Sequence, residues 1–314
     1  MAALERALPD ASWVIVLAGG EGLRLRGRTV GGIRFDRPKQ FCRVEGDRTL
    51  LDLALDRART LADPSRILTV VRGEHRLWWE PLLRGTEVLS QPADLGNAVA
   101  IFHALFQILR RDRNPTVIVM PSDHGVDDEV ILRRSIRAMA AEAREQCNRV
   151  ILLGMTPDHP ETDYGWIVPV PDSGDRSHRV AEFVEKPPVV EAERLMKRGA
   201  LWNSFIFAAT AFGMLRLFDD ARPDLIGIYP ESLLVRGIDP GAAEGFFARY
   251  PAVDFGRDVL ARSTPRLRVT RGSPCGWIDL GTPARVGQWI ERRARRVSLV
   301  RRGRAEIGAL TPAR

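Results

Sequence analysis

Lysine is nearly missing from this chain. Among its 314 residues only Lys39, Lys186 and Lys197 carry an ammonium, against 44 arginines. Cysteine is as sparse: Cys42, Cys147 and Cys275 are odd in number, far apart and without a CxxC pair. That spacing argues against a disulfide framework or a structural zinc site and for a reducing compartment. No apolar run approaches bilayer-spanning length. The start, MAALERALPDASW, holds acidic residues where a secretory signal needs an apolar core. The expected location is the cytoplasm. Repeats and low-complexity linkers are absent too, which favours one domain with two lobes.

What is present is an ordinary soluble composition, 45% hydrophobic and 28% charged, with a net charge of +7. The charge is unevenly placed. Residues 291–314 hold eight arginines and two glutamates, leaving about +1 for residues 1–290. This basic carboxy-terminal tail reads as a solvated face or flexible end, with a subunit or polyanion contact as the alternatives. No aromatic residues interleave it, which argues against nucleic acid as partner. Small molecules are the expected partners, and a homo-oligomer contact stays open.

Short apolar runs alternate with helical periodicity. WVIVLA (13–18), RILTVV (66–71), TVIVM (116–120), RVILLG (149–154) and RLRVT (266–270) read as strands, several buried on both faces. Helices are expected over 49–62, 97–111 and 127–146. Such alternation predicts an α/β layer fold with a largely parallel central sheet. Beyond residue 155 the pattern loosens, and YGWIVPV, RVAEFVEK and LWNSFIFAA read as strands of a lid or second layer. A last helix should start with Thr282 as its cap and Pro283 in its first turn.

The loop after the first strand carries Gly19, Gly20 and Gly22, then Arg24 and, further on, Lys39. It fits neither common phosphate loop: GxGxxG fails at Leu25 and no G-K-[ST] follows. Its glycines still permit a turn whose N–H groups form an anion nest, and Arg24 adds a guanidinium fork. In so arginine-rich a chain, a lysine between Pro38 and Gln40 suggests a compact ammonium that follows one moving charge; a chance surface lysine is the bland alternative. Lys186 in EFVEKPP stands at the end of a strand beside Glu185, either as a second phosphate cation or as half of a surface pair. Asp123 in PSDH and Asp279 in GWIDLG are the metal candidates, since Mg²⁺ needs only one or two protein carboxylates; each is otherwise a turn or helix-entry residue. His124 reads as a hydrogen-bonding or packing residue. Asn203 is an amide inside an apolar strand, and Gly165 marks either close backbone approach to a ligand or a bent strand.

Taken in order, LAGGEGLRLR, RPKQF, QPADLGNAVAI, PSDH, PDHPETDYGWI, FVEKP, LWNSFIF, VDFGRDVL and WIDLG resemble the motifs of the sugar-phosphate nucleotidyltransferases, specifically the mannose-1-phosphate guanylyltransferase branch. The resemblance covers residues 13 to about 290. It implies a Rossmann-like, GT-A-like fold, with a nucleotide half over about 12–155 and a sugar half over about 156–280. It implies transfer of a nucleotidyl group from a nucleoside triphosphate, best GTP, to a sugar 1-phosphate, giving a nucleotide sugar such as GDP-mannose and pyrophosphate. By the same resemblance Arg24, Lys39 and Lys186 are catalytic, and Leu17, Gly19, Gly20, Gly22, Gln91 and Gly96 hold the nucleotide. Gly165, Glu185 and Asn203 line the sugar, while Asp123 and Asp279 hold Mg²⁺. The alternatives are a thymidylyl- or adenylyltransferase on the same fold, or a non-catalytic regulatory subunit that binds a nucleotide sugar.

Several residues depart from the family pattern. RGRTVGGIRFD replaces the usual Trp-Pro, and Asn97-Ala98-Val99 replaces Thr-Ala-Pro. Asp163 stands for the first glycine of Gly-Tyr-Gly, and Phe205 for the glycine of Asn-Ser-Gly. The last two put a charge and a phenyl ring into the sugar half. The β-helix and isomerase extensions of longer relatives are not expected.

Overall fold

Runs of valine and isoleucine buried on both faces require a sheet covered by helices on each side. The computed structural model, which describes residues 12–91, 94–171, 176–228 and 252–309, contains such a sheet. Its nine strands are β1 (Ser12–Leu17), β2 (Ile67–Arg72), β3 (Glu87–Gln91), β4 (Thr116–Pro121), β5 (Val150–Met155), β6 (Gly165–Pro169), β7 (His178–Glu185), β8 (Leu201–Thr210) and β9 (Leu267–Arg271). Their order is β5-β9-β7-β6-β8-β4-β1-β2-β3, with β5 also paired to β8. The β4-β1-β2-β3 half is parallel throughout. The other half is antiparallel apart from β5 on β9. The strands expected as a lid or second layer therefore extend the central sheet itself.

Side chains alternate across β1 as strand geometry demands. Trp13 and Ile15 enter the cluster under α2 (Gly96–Leu109) and α5 (Ala211–Ala221), while Val14 and Val16 enter the cluster under α1 (Leu50–Arg59), α3 (Glu129–Glu145) and α4 (Val189–Lys197). Helix starts are written in local chemistry. Thr49 and Asp52 form a reciprocal capping box on α1, and Asp128 accepts from Val130 N and Ile131 N at α3. The last helix, α6 (Pro283–Ala309), has Thr282 Oγ1 accepting from Arg285 N at 3.3 Å, as expected of its cap. It continues through the basic tail as far as residue 309, and Arg292, Arg293 and Arg296 pair with Asp127, Glu45 and Asp128. No helix among the described residues is long and apolar enough to cross a membrane.

Two features were not foreseen. Strand β3 is a half-buried edge strand whose EVLSQ sequence lacks an apolar run. In β8 a bulge interrupts pairing to β5: Leu152 faces Phe207 and Gly154 faces Asn203, so three residues oppose Leu153. Ser204 Oγ donates to Leu153 O at 2.6 Å across it. Phe205, at the middle of the bulge, has φ +58°. That left-handed conformation costs a non-glycine residue on the order of 1–2 kcal/mol.

The buried aromatic cluster far from the loops offers a stability test. Phe218 is fully buried, with its ring centroid 5.0 Å from that of Phe102. Phe218→Ala should lower unfolding free energy by about 3–5 kcal/mol, measured by urea titration; a loss below about 1 kcal/mol would contradict this packing.

Candidate active site

Parallel strands present their carboxyl ends on one edge, where open α/β sheets bind ligands. Here Gly19 and Gly20 follow β1, Arg72 ends β2, Gln91 ends β3, and Asp123 and His124 follow β4; all line one cleft of about 460 Å³. Because β8 runs antiparallel to β4, its start reaches the same edge, and its short overlap with β6, Trp166 opposite Trp202, brings the start of β6 and the end of β7 there too. They contribute Asn203, Phe205, Gly165, Glu185 and Lys186 to the same cleft. Leu17, Arg24, Gly96 and Asp279 line it too.

Gly22 and Lys39 stand just behind the wall. A Cβ on Gly22, whose φ is +62°, would lie 3.1 Å from Lys39 N, so this glycine lets the loop press on the lysine backbone. The Lys39 ammonium lies 3.1 Å from Asp123 Oδ2 and 3.1 Å from Asp279 Oδ1. The two aspartates meet because Ile278–Asp279 forms a short antiparallel ladder with His124–Gly125, in which Asp279 pairs with His124. Burial disfavours the Lys39 charge, but Asp123 and Asp279 outweigh it and hold its pKa above the ordinary value. Burial would likewise raise Asp279; Lys39, then His124 and Arg285, bring it down to about 2. His124 is pushed by burial to about 4, and its neutral ring accepts from Trp277 Nε1 at 3.0 Å. It is a packing and hydrogen-bonding residue, as its sequence context indicated.

Sequence reasoning missed two supports of this hub. Gln40 Nε2 donates to Ala18 O at 2.9 Å and Gly20 O at 2.8 Å, stapling the glycine-rich loop to the Lys39 turn. Arg285, in the first turn of α6, donates to Glu161 at 2.7 Å, Asp163 at 3.2 Å and Asp279 Oδ2 at 3.0 Å. Its guanidinium carbon lies 5.0 Å from the centroid of the Tyr164 ring. A cation at a helix N-terminus opposes the macrodipole, and that local misfit was the available signal. Asp163 also accepts from Arg24, so both arginines converge on the charge that replaces a family glycine.

On the antiparallel side of the cleft Glu185 is lodged between two glycines. A Cβ on Gly165 would fall 2.7 Å from Glu185 Oε2, and one on Gly256 2.3 Å from it. Burial first, and Asp254 next, hold the Glu185 pKa above its ordinary value, against a weaker pull from Lys186. Lys186 Nζ is 3.6 Å from Glu185 Oε1, so the surface-pair reading and the cleft reading both describe it. Asn203 Oδ1 accepts from Phe205 N at 3.1 Å. Across the cleft Gln91 is 5% exposed, and its buried Nε2 has no partner among the described residues. Gly96, at φ +81°, packs so closely on Val253 that a Cβ would lie 2.3 Å from its carbonyl oxygen.

The carboxylates suit a hard divalent ion. Two oxygens each 3.1 Å from one nitrogen are separated by at most twice that distance, within the span one Mg²⁺ bridges after modest closure. A second acidic group, Glu21, Glu74 and His75, has ligand atoms within 4.8 Å of one another. Arg72 pairs with both glutamates there, so this group is an ion-pair network.

A mixed α/β sheet with a glycine-rich loop, an aspartate pair and two lysines around one cleft is an arrangement of the nucleotidyl transferase class. Residues 13–286 match the nucleotidyl transferase family, and the chain belongs to it, on the mannose-1-phosphate guanylyltransferase branch. It is 30% identical over 285 residues to mannose-1-phosphate guanylyltransferase ManC of Salmonella typhimurium, covering 85% of this chain and 57% of that protein. A Klebsiella pneumoniae mannose-1-phosphate guanylyltransferase is 31% identical, with 85% and 58% covered. The chain thus spans under two thirds of these relatives. A Thermus thermophilus crystal structure, described as a mannose-1-phosphate geranyltransferase, superposes with TM-score 0.76 at 31% identity, covering 86% of this chain and 76% of that one. A UDP-glucose pyrophosphorylase bound to UDP-glucose shares the fold at TM-score 0.59 and 14% identity, with 91% and 99% covered.

Two outcomes follow from the electrostatics. Arg285→Met leaves three carboxylates without their buried cation and should cost about 3–5 kcal/mol; a urea midpoint indistinguishable from the parent protein would show the guanidinium to be dispensable. A carboxyl with a raised folded pKa is most compatible with folding below its unfolded value, ordinarily 4.5 for Glu185, and destabilises as pH rises through the folded value. Glu185→Gln should therefore stabilise the protein near pH 7 and lose that advantage below pH about 4.5. Melting curves across pH 4–8 check this, and an advantage that does not change with pH counts against it.

Proposed function

We propose that the chain makes a nucleotide sugar and pyrophosphate from a nucleoside triphosphate and a sugar 1-phosphate, with GTP and mannose 1-phosphate as its preferred pair and GDP-mannose as product. The observation that carries this reading is the Lys39 ammonium held between two convergent carboxylates on a cleft that Lys186 enters from the other half. The names of the curated relatives support the base and the sugar.

In this reading the sugar phosphate is already ionised, so one of its oxygens attacks the α-phosphorus without a general base. The bond to the bridging oxygen breaks on the opposite side, and pyrophosphate leaves with the electron pair. Catalysis then rests on alignment and on neutralising crowded oxygens. The Gly19–Gly20 backbone and Arg24 embrace the triphosphate, Gly22 seats Lys39, and Lys39 faces the phosphates. Lys186 grips the sugar phosphate, with Gly165, Glu185 and Asn203 along the sugar. Gln91, whose buried amide nitrogen lacks a partner among the described residues, and Gly96 face the base, near the backbone of Leu17. Asp123 and Asp279 would hold Mg²⁺, which supplies charge neutralisation at the α-phosphate when bound. The cytoplasm is the proposed location.

Two observations favour a second reading. Arg24 is engaged by Asp163, and the sugar end carries Phe205; a regulatory subunit that binds a nucleotide sugar without turnover would tolerate both. Pyrophosphate release, assayed over four nucleoside triphosphates and several sugar 1-phosphates with and without Mg²⁺, separates the readings. Turnover is expected only with Mg²⁺ and best with GTP and mannose 1-phosphate. Lys39→Ala should lower kcat by roughly 10² or more with its melting temperature still showing a folded protein. Silence in every combination would favour the regulatory subunit, and preference for another base would move the assignment to a thymidylyl- or adenylyltransferase.

A further inference from the structure

Among the described residues two that are not glycine hold a left-handed backbone, Lys186 at φ +49° and Phe205 at φ +58°, and both line the same cleft. For Phe205 the strain is imposed by the bulge in β8, because three residues there must oppose Leu153. Bulges of this kind place glycine in the left-handed position, and a bulky side chain at such a φ persists only where surrounding structure or function maintains it.

Core packing accounts for only part of the phenyl ring. Its centroid lies 6.0 Å from that of Phe207 and 5.9 Å from that of Phe255, edge-on to both, so one side of the ring rests on the core. Phe207 and Phe255 are themselves fully buried and stack on each other at 5.0 Å without it. Phe205 is only half-buried, and what it faces is the cleft, beside Asn203, Glu185 and Gly256. The bulge thus turns an apolar ring out of a buried strand into the cleft, on the side where Asn203 and Glu185 stand.

From this we infer that Phe205 is a specificity-determining residue for the sugar: a rigid wall that packs on the apolar face of a plain hexose 1-phosphate and excludes sugars bearing a bulky substituent such as an N-acetyl group. The inference rests on the transferase reading proposed above. It assigns to one ring a discrimination that the phosphate-binding residues cannot make, because every sugar 1-phosphate presents them with the same phosphate.

The test compares the parent protein with Phe205→Gly and Phe205→Asn, both of which suit the left-handed slot, so that removing the ring does not also break the bulge. Mannose, glucose, galactose and N-acetylglucosamine 1-phosphates are assayed at saturating triphosphate and Mg²⁺. Both variants should reduce the kcat/KM preference for the best hexose over N-acetylglucosamine 1-phosphate by about tenfold or more, a typical reach for a steric pocket wall. The KM for the triphosphate should stay within about twofold of the parent value. A preference that does not change, or one that falls together with triphosphate affinity, overturns the inference while leaving the transferase reading intact. Should the parent protein turn over no sugar, that reading fails separately. Thermal shifts with the same four sugar phosphates then decide the role of the ring, since discrimination equal in parent and variants overturns it.

Discussion

Two carboxylates brought within a few ångströms inside a protein repel each other and lose hydration, and the fold accepts Asp123 and Asp279 because an ammonium lies between them. Neither partner is stable there alone: burial disfavours the charge on both Lys39 and Asp279, and the opposite charge restores it. Most of the surrounding architecture keeps this cation and its carboxylates in register. The ladder between residues 278–279 and 124–125 fixes the aspartates, Gly22 lets the loop close on the lysine backbone, and Gln40 ties that loop to the turn. An arginine fork is wider and planar and spreads over several carboxylates, as Arg285 does, whereas a compact ammonium fits a gap in which two oxygens each lie 3.1 Å from one nitrogen. That geometry is a physical reason for a lysine here in a chain that otherwise writes its positive charge as arginine.

The parts legible in the sequence were those in which chemistry and local pattern coincide. WVIVLA declared a doubly buried strand and Thr282-Pro283 a helix start, and the structure has both. The ordered motifs brought Gly19, Asp123, Lys186 and Asp279 to one expected site, and they do share one cleft. Strand β3 escaped because an edge strand half in water needs no apolar run. The bulge in β8 escaped because nothing in LWNSFIF announces three residues opposite one; the family glycine that marks such a position is a phenylalanine here. Gln40 escaped because its partners are backbone carbonyls, which no sequence pattern displays.

Asp163 and Arg285 illustrate a different limit. Read alone, Asp163 adds a negative charge to a cleft meant for anions. In the fold it is answered by Arg285 from the start of the last helix and by Arg24 from the glycine-rich loop. Arg285 meanwhile grips the second oxygen of Asp279, leaving the first to Lys39. The substitution at Asp163 is thus part of a charge network spanning three distant segments. A single sequence cannot reveal the compensation, because the misfit of Arg285 at a helix start shows that its charge needs partners but not which residues they are.

The departures are also unevenly distributed, and the distribution has a physical reading. The glycines after β1, Lys39 and the aspartate pair, to which the proposed function gives the phosphates and the metal, match the family pattern. Asp163 and Phe205 lie where β6 and β8 begin, on the antiparallel half, where a ligand would present its variable part. Their costs differ in kind. The charge of Asp163 is offset within the network, whereas the left-handed backbone at Phe205 is held by the bulge and by its N–H donating to Asn203 Oδ1 at 3.1 Å, with the ring left half-exposed to the cleft. A strained backbone that holds a half-buried ring at a cleft points to a role for that side chain towards a ligand, and it separates Phe205 from the other departures in this cleft.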